Sequence, residues 1–144
     1  VAQVRADSLI EDVIRELVAL ASTQSKSSVK LHFDLAPVTL EPDQAGPLAL
    51  LTAEAVTNAL KYVEPDEAGD CWLNVALGRD TDEDGRLILT IENSAAPDAR
   101  TASEEGLGAR LIRAFASQLE AGVEQEAAKG RYRVRVRFSA ASER

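Results

Sequence analysis

The sequence has no methionine, one cysteine, one histidine and one tryptophan. A single thiol, Cys71, leaves no partner for an internal disulfide, so a reducing, cytoplasmic setting is expected. Cys71 itself reads as a buried strand residue. No apolar run approaches the length of a membrane span and no secretory leader is visible, so this domain is expected to make no membrane contact. Positive charge is scarce: 16 basic residues stand against 24 acidic ones, for a net charge of −8. The basic residues form no run outside the last strand, which argues against a nucleic-acid partner. An anionic nucleotide would need a cation and local lysine or arginine to bind here. The missing methionine extends to position 1, so the chain is expected to be a module of a longer protein. Its 144 residues, 45% hydrophobic, suit one domain with one core.

The chain is organised around Glu54-Ala55-Val56-Thr57-Asn58-Ala59-Leu60-Lys61-Tyr62. At helical spacing Glu54, Asn58, Lys61 and Tyr62 share one side. Leu50, Leu51, Ala53, Val56, Ala59 and Leu60 fill much of the rest and supply a face for a core. A carboxylate, an amide and an ammonium in register on a mostly apolar helix point to a ligand. The Asn58 amide oxygen suits a hard cation such as Mg²⁺, Lys61 suits phosphate, and Glu54 can accept a hydrogen bond or orient a water. A polar face in solvent is the plainer reading of the same pattern. Downstream, Glu105-Gly106-Leu107-Gly108-Ala109-Arg110 is a glycine-bearing loop running into an amphipathic helix. Such a junction offers free backbone N–H groups and the positive end of a helix, which suit phosphate.

Around these two stretches the periodicity predicts a helix from Asp7 to Ala21, capped by Asp7 or Ser8, with Leu9, Ile10, Val13, Ile14, Leu17 and Leu20 at helical intervals. Val29 to Leu35 alternates as a strand with Val29, Leu31, Phe33 and Leu35 inward, and places His32 on the polar side. Val38-Thr39-Leu40 is a short extended piece. Glu41-Pro42-Asp43 opens the long helix to about Tyr62, in which Pro47 is expected to bend or restart the path. Cys71 to Gly78 and Leu87 to Glu92 read as antiparallel strands. The tip between them carries Asp80, Asp82, Asp84 and Gly85, the opening of a calcium loop, but Ile91 stands where the twelfth ligand belongs, so a solvated Asp-Gly turn is the reading taken. Ser94 to Glu105 reads as a lid. Leu107 to Leu119 is a helix with Leu111, Ile112, Phe115 and Leu119 inward. Ala121 to Glu126 and Arg131 to Phe138 close the chain as a hairpin, its row of Arg131, Arg133, Arg135 and Arg137 expected to pair with the acidic sister strand. This order gives an α+β, two-layer α/β sandwich with a mixed, mainly antiparallel sheet covered on one face by about three helices.

Pro47-Leu48-Ala49-Leu50-Leu51 with Glu54 to Tyr62, and Gly106 to Leu119, together resemble the N box and second glycine box of the ATP-binding domain of sensor histidine kinases. That domain belongs to a superfamily shared with gyrase, a heat-shock chaperone family and the mismatch-repair MutL proteins. The second stretch is most similar to the HWE-type subgroup. The resemblance covers about residues 5–139 and implies the Bergerat-type ATP-binding fold, with ATP and Mg²⁺ as cofactors. It implies that Glu54 polarises or takes a proton, Asn58 binds Mg²⁺, Lys61 touches phosphate and Tyr62 lies near the nucleotide. Gly106, Leu107 and Gly108 would wrap the phosphates, with Arg110 or Arg113 either assisting or serving as surface charges. The first glycine box departs from the family pattern. Where these kinases carry Asp-x-Gly-x-Gly, the sequence is read as Glu92-Asn93-Ser94-Ala95-Ala96, with Glu92 in the place of the adenine-binding aspartate. Arg131 follows Gly130 where threonine is common.

The implied function is to bind Mg-ATP and supply its γ-phosphate to a histidine on a separate helical dimerisation and phosphoacceptor domain, with a response regulator downstream. His32, on a strand, is a poor candidate for that histidine. The altered first glycine box keeps a second reading open: a degenerate domain that no longer binds ATP and acts as a docking or phosphotransfer scaffold. An anti-sigma serine kinase of the same superfamily is a third.

Overall fold

The computed structural model describes residues 3–24, 28–82, 85–95, 107–128 and 130–140. Strand β1 (Val4–Arg5) leads directly into helix α1 (Ala6–Gln24). Because the helix starts at Ala6, Asp7 lies in its first turn and not at the cap, where its carboxylate is joined by the Arg5 guanidinium at 2.6 Å. The Arg5 bond holds the Asp7 carboxyl below its ordinary range. Ala6, Ile10 and Ile14 recur every four residues and are fully buried, so one stripe of α1 meets the core. Strand β2 (Lys30–Leu35) follows, then β3 (Thr39–Leu40), which pairs antiparallel with β1.

Helix α2 (Pro42–Tyr62) begins where Glu41 is extended and Pro42 supplies a preset φ. The Glu41 carbonyl accepts from the Gln44 and Ala45 N–H groups. Pro47 does not break the helix, which runs unbroken to Tyr62. Its buried stripe includes Leu48, Leu51, Thr52, Ala55, Val56 and Ala59. Leu48, Leu51 and Val56 are fully buried; at about 1.5–3 kcal/mol each they together outweigh the roughly 1 and 3 kcal/mol by which Gly46 and Pro47 disfavour a helix.

Strands β4 (Trp72–Arg79), β5 (Arg86–Ser94), β6 (Gly122–Ala128) and β7 (Arg131–Ser139) complete a five-stranded sheet of order β2-β4-β5-β7-β6. β2 runs parallel to β4, with α2 on the connection between them; the other pairs are antiparallel. The tight ends of the β4–β5 and β6–β7 hairpins use Gly85 (φ 80) and Gly130 (φ 81), a backbone region that costs other residues strain. Asp84 lies outside the described residues; at the same tip the Asp80 carboxylate accepts from the Asp82 N–H at 2.9 Å.

Alternation sorts the sheet into two faces. Leu73, Val75, Leu77, Leu87, Leu89, Ile91, Val134, Val136 and Phe138 are buried on one. Helix α3 (Leu107–Gln118) packs against α2 and β6, while α1 covers the other flank of α2. Ala109, Ile112, Ala116 and the following Leu119 are buried; Leu111 and Phe115 are half-buried. The opposite face carries the arginine row, and its expected acidic partners are in place. Arg133 bonds Glu126 at 2.7 Å and Arg137 bonds Glu124. The architecture is the expected two-layer sandwich, a mixed and mainly antiparallel sheet with three helices on one face.

Candidate functional site

Glu54 and Asn58 stand one turn apart beside the buried stripe of α2, both half-buried, with Lys61 and Tyr62 exposed at its end. Lys61 Nζ lies 5.4 Å from the centre of the Tyr62 ring, within reach of a cation–π contact. The first turn of α3 comes directly against Asn58. A Cβ built on Gly108 would sit 2.8 Å from Asn58 Oδ1 and 2.9 Å from Nδ2, so only glycine lets the two meet without a shift. The N-terminal turn of α3, where a helix has free N–H groups and a partial positive charge, therefore begins beside the Asn58 amide. Among the described residues Ala55, Asn58 and Tyr62 of α2, Ala109 and Ile112 of α3, Gln125 of β6 and Tyr132 and Val134 of β7 enclose a space of about 20 Å³. That is room for about one water.

Of the other sequence-predicted residues, Leu107 opens α3, while Gly106 and residues 96–105 of the expected lid lie outside the described residues. Ser94 and Ala95, read as the start of that lid, are instead the buried end of β5 and its exit, with the Ala95 N–H bonded to the Gly130 carbonyl at 3.0 Å. Arg110 and Arg113 are exposed on α3.

Glu92 is not brought to this crevice. Leu87, Leu89 and Ile91 point into the core, so alternation puts Glu92 on the opposite face of the sheet. There its carboxylate lies 3.7 Å from both Arg131 and Arg133. The residue turned inward is the next one. Asn93 is 1% exposed, and it stands across from Tyr132 in the β5–β7 register. Tyr132 lines the same space as Asn58 and Tyr62. Reading by motif missed both Tyr132, which lines that space, and Asn93, which stands across from it on the same face of the sheet. The signal that finds them is parity, counted along the strand from Leu87.

The end of α2 is tied to this part of the sheet. The Ser94 carbonyl accepts from the Glu64 N–H at 3.1 Å and from Asn93 Nδ2 at 2.9 Å. The Ser94 hydroxyl accepts from the Trp72 N–H at 2.9 Å. Asp66, in the loop after α2, accepts from the Ala68 and Asp70 N–H groups and from Trp72 Nε1. The Asp70 backbone bond leads the causes that lower the Asp66 carboxyl below its ordinary range. Burial is the first of the causes that raise the neighbouring Cys71 thiol, so it is less nucleophilic than a free thiol.

No family model matches the sequence, and no curated protein matches it. Its fold has close counterparts among solved structures. The chain superposes on the histidine kinase domain of the Erythrobacter litoralis blue-light activated histidine kinase with a TM-score of 0.80 at 17% identity, over 97% of this chain and 63% of that one. For the Acinetobacter baumannii histidine kinase AdeS the TM-score is 0.74 at 15% identity, over 97% and 67%. For the mycobacterial sensor histidine kinase MprB it is 0.73 at 14%, over 96% and 98%. The chain thus spans less than two thirds of the Erythrobacter domain and nearly all of the mycobacterial one. Among the described residues no helix is long and apolar enough to cross a membrane. Sheet order, helical layer and the placement of α2 against α3 together give this chain the fold of the catalytic domain of sensor histidine kinases.

Proposed function

We propose that this domain binds Mg-ATP and presents the γ-phosphate to a histidine on a helical phosphoacceptor domain of the same kinase, with a response regulator as the next acceptor. The observation that carries the reading is the meeting of Asn58 with Gly108. It sets a neutral oxygen donor for a hard cation beside a helix N-terminus suited to phosphate. Mg²⁺, held by the Asn58 amide, would neutralise phosphate charge. Lys61, on the exposed end of α2, reaches the phosphates as a mobile point charge. Glu54 accepts a proton or a hydrogen bond from the attacking group, and Tyr62 borders the nucleotide. Asn93, not Glu92, contacts the base. The contribution of such a domain is positioning and charge neutralisation.

The test is calorimetric titration with Mg-ADP and Mg-ATP, alongside Asn58→Ala. Binding that needs magnesium and weakens at least tenfold in the variant supports the assignment. Nucleotide binding indifferent to Asn58→Ala removes Asn58 from the metal. A scaffold that binds no nucleotide is the second reading, favoured by the amide at position 93 and by the small enclosed space between α2 and α3. Absence of heat at millimolar nucleotide decides for it.

A further inference from the structure

Among the described residues the exposed large apolar side chains are Leu20 at 63%, Leu50 at 52% and Tyr62 at 44%. Tyr62 belongs to the site above. Leu20 and Leu50 stand on α1 and α2, which begin side by side: β1 pairs with β3, and the Ala6 N–H bonds the Val38 carbonyl. Two contacts fix how these helices are turned. The Arg15 guanidinium lies 5.0 Å from the centre of the Phe33 ring on the edge strand β2, so the Arg15 side of α1 looks away from α2. At helical spacing Leu9, Val13 and Leu20 fall on the opposite side, toward α2. Leu17 and Val18 pack against the core, whereas Leu9 and Val13 are half-buried and lie outside it. On α2 the Asn58 side meets α3 through Gly108. Gly46 and Ala53 turn the other way, toward α1, and Leu50 stands at the crest. A Cβ on Gly46 would meet nothing within 4 Å, so this stretch of α2 is open. From Leu9 to Leu20 the apolar stripe runs about 16 Å, the length of three turns of a docked helix. Its margin is acidic: Asp12, Glu16 and Asp43 are exposed. Arg15 is bonded to Glu11 and Arg5 to Asp7, which leaves those three carboxylates without an ion pair among the described residues.

We propose that the groove between α1 and α2 is a docking surface for a basic amphipathic helix of a partner protein. The apolar stripe of that helix lies on Leu9, Val13, Leu20 and Leu50, the helix-in-groove mode of recognition. Its lysines or arginines face Asp12, Glu16 and Asp43. Contiguous exposed apolar surface with a polar margin marks an interaction site, and the sign of the margin selects the charge of the partner. The small residues Gly46 and Ala53 let the two backbones come close. The groove lies on the flank of α2 away from Gly108, so an occupant leaves the crevice beside Asn58 open.

The probe is a fluorescein-labelled helical peptide of about four turns, with leucine at alternate third and fourth positions and lysine elsewhere. Its counterpart carries glutamate in place of lysine. Fluorescence anisotropy follows each peptide against the 144-residue chain. The lysine peptide is expected to bind at least about thirtyfold more tightly than the glutamate peptide. Leu50→Glu and Leu20→Glu separate docking from bare charge attraction. Each adds a negative charge while removing exposed apolar area, so docking predicts that each weakens the lysine peptide roughly tenfold or more. Both positions are on the surface, so the two variants keep the wild-type melting temperature and serve as separate tests. Lysine-peptide binding that is unchanged or tighter in both variants overturns the proposal. Equal binding of the two peptides overturns it as well, and so does no binding of the lysine peptide at millimolar protein. Sedimentation that finds the wild type dimeric and Leu50→Glu monomeric overturns it in favour of a second copy as the occupant.

Discussion

Gly108→Ala adds one methyl group at the seam between α2 and α3. Two effects on stability oppose each other. Alanine in a helix is favoured over glycine by about 0.5–1 kcal/mol. The new Cβ would stand 2.8 Å from Asn58 Oδ1, 2.9 Å from Nδ2 and 3.3 Å from Cγ, so the Asn58 side chain must leave its place. Pushing a side chain about 30° off its rotamer costs about 0.5–1.5 kcal/mol. The terms nearly cancel, and the melting temperature is expected to stay within about 3 °C of wild type for a domain of this size. Nucleotide binding does not share the cancellation, because the displaced group is the proposed Mg²⁺ ligand. Affinity for Mg-ADP should fall at least tenfold, about 1.4 kcal/mol. Gly78→Ala, on strand β4, is the control. It adds the same atom where nothing lies within 4 Å. It should raise stability by about 0.5–1 kcal/mol and leave affinity alone. Differential scanning calorimetry and isothermal titration read both quantities. A Gly108→Ala protein that binds Mg-ADP as tightly as wild type would refute the placement of Asn58 against α3 as the metal end of the site.

Three further substitutions test the fold around the site. Thr52 on α2 is fully buried and its hydroxyl has no hydrogen-bond partner among the described residues; Thr52→Val should raise stability by about 1 kcal/mol in urea denaturation, and a loss would show that the hydroxyl is satisfied in solution. Glu120, two residues past the end of α3, has φ 54, with its N–H on the Ser117 carbonyl and the Ala121 N–H on the Ala116 carbonyl. That cap favours glycine, so Glu120→Gly should gain about 0.5–1 kcal/mol by thermal melting. Asp66 titrates below the ordinary carboxylate range, mainly through the Asp70 backbone bond. A lowered folded-state value means its stabilisation is complete above the unfolded-state value and is lost as pH falls through the folded one. Stability followed from pH 7 down to 3 should therefore fall in the acid range, with Asp66→Ala showing a shallower fall. Trp72, the sole tryptophan and a donor to Asp66, provides a local fluorescence signal.

The elements most legible in the sequence were those whose burial follows one period. The stripes of α1 and α2 and the alternation of β2 and β7 are visible because each element has one buried side. The acidic partners of the arginine row were legible for the same reason, since a hairpin register fixes which residues face each other. What escaped was set by contacts distant in sequence. β1 is two residues long and exists only because β3 pairs with it. Pro47 was expected to bend or restart α2; the helix does not restart but continues through it to Tyr62, with Leu48, Leu51 and Val56 buried. At the site, motif matching placed the base contact on Glu92. Its strand was read as ending there, whereas β5 continues to Ser94 through its pairing with β7. Extending the alternation Leu87, Leu89, Ile91 by one more step reaches Asn93. The approach of Gly108 to Asn58 could not be read at all, because it depends on how two helices cross.

The parallel pairing of β2 with β4 also bears on how the molecule assembles. β4, β5, β7 and β6 join neighbours through antiparallel pairings, two of them short hairpins, but β2 can dock only after α2 has crossed over. Its contacts close a long loop, and such contacts are slow to form. As a border strand bonded along one side alone, β2 is the natural first place for the sheet to come undone. Amide exchange along Lys30–Leu35 should then outpace exchange in β5, which is flanked on both sides, so that fraying begins at the margin farthest from β6.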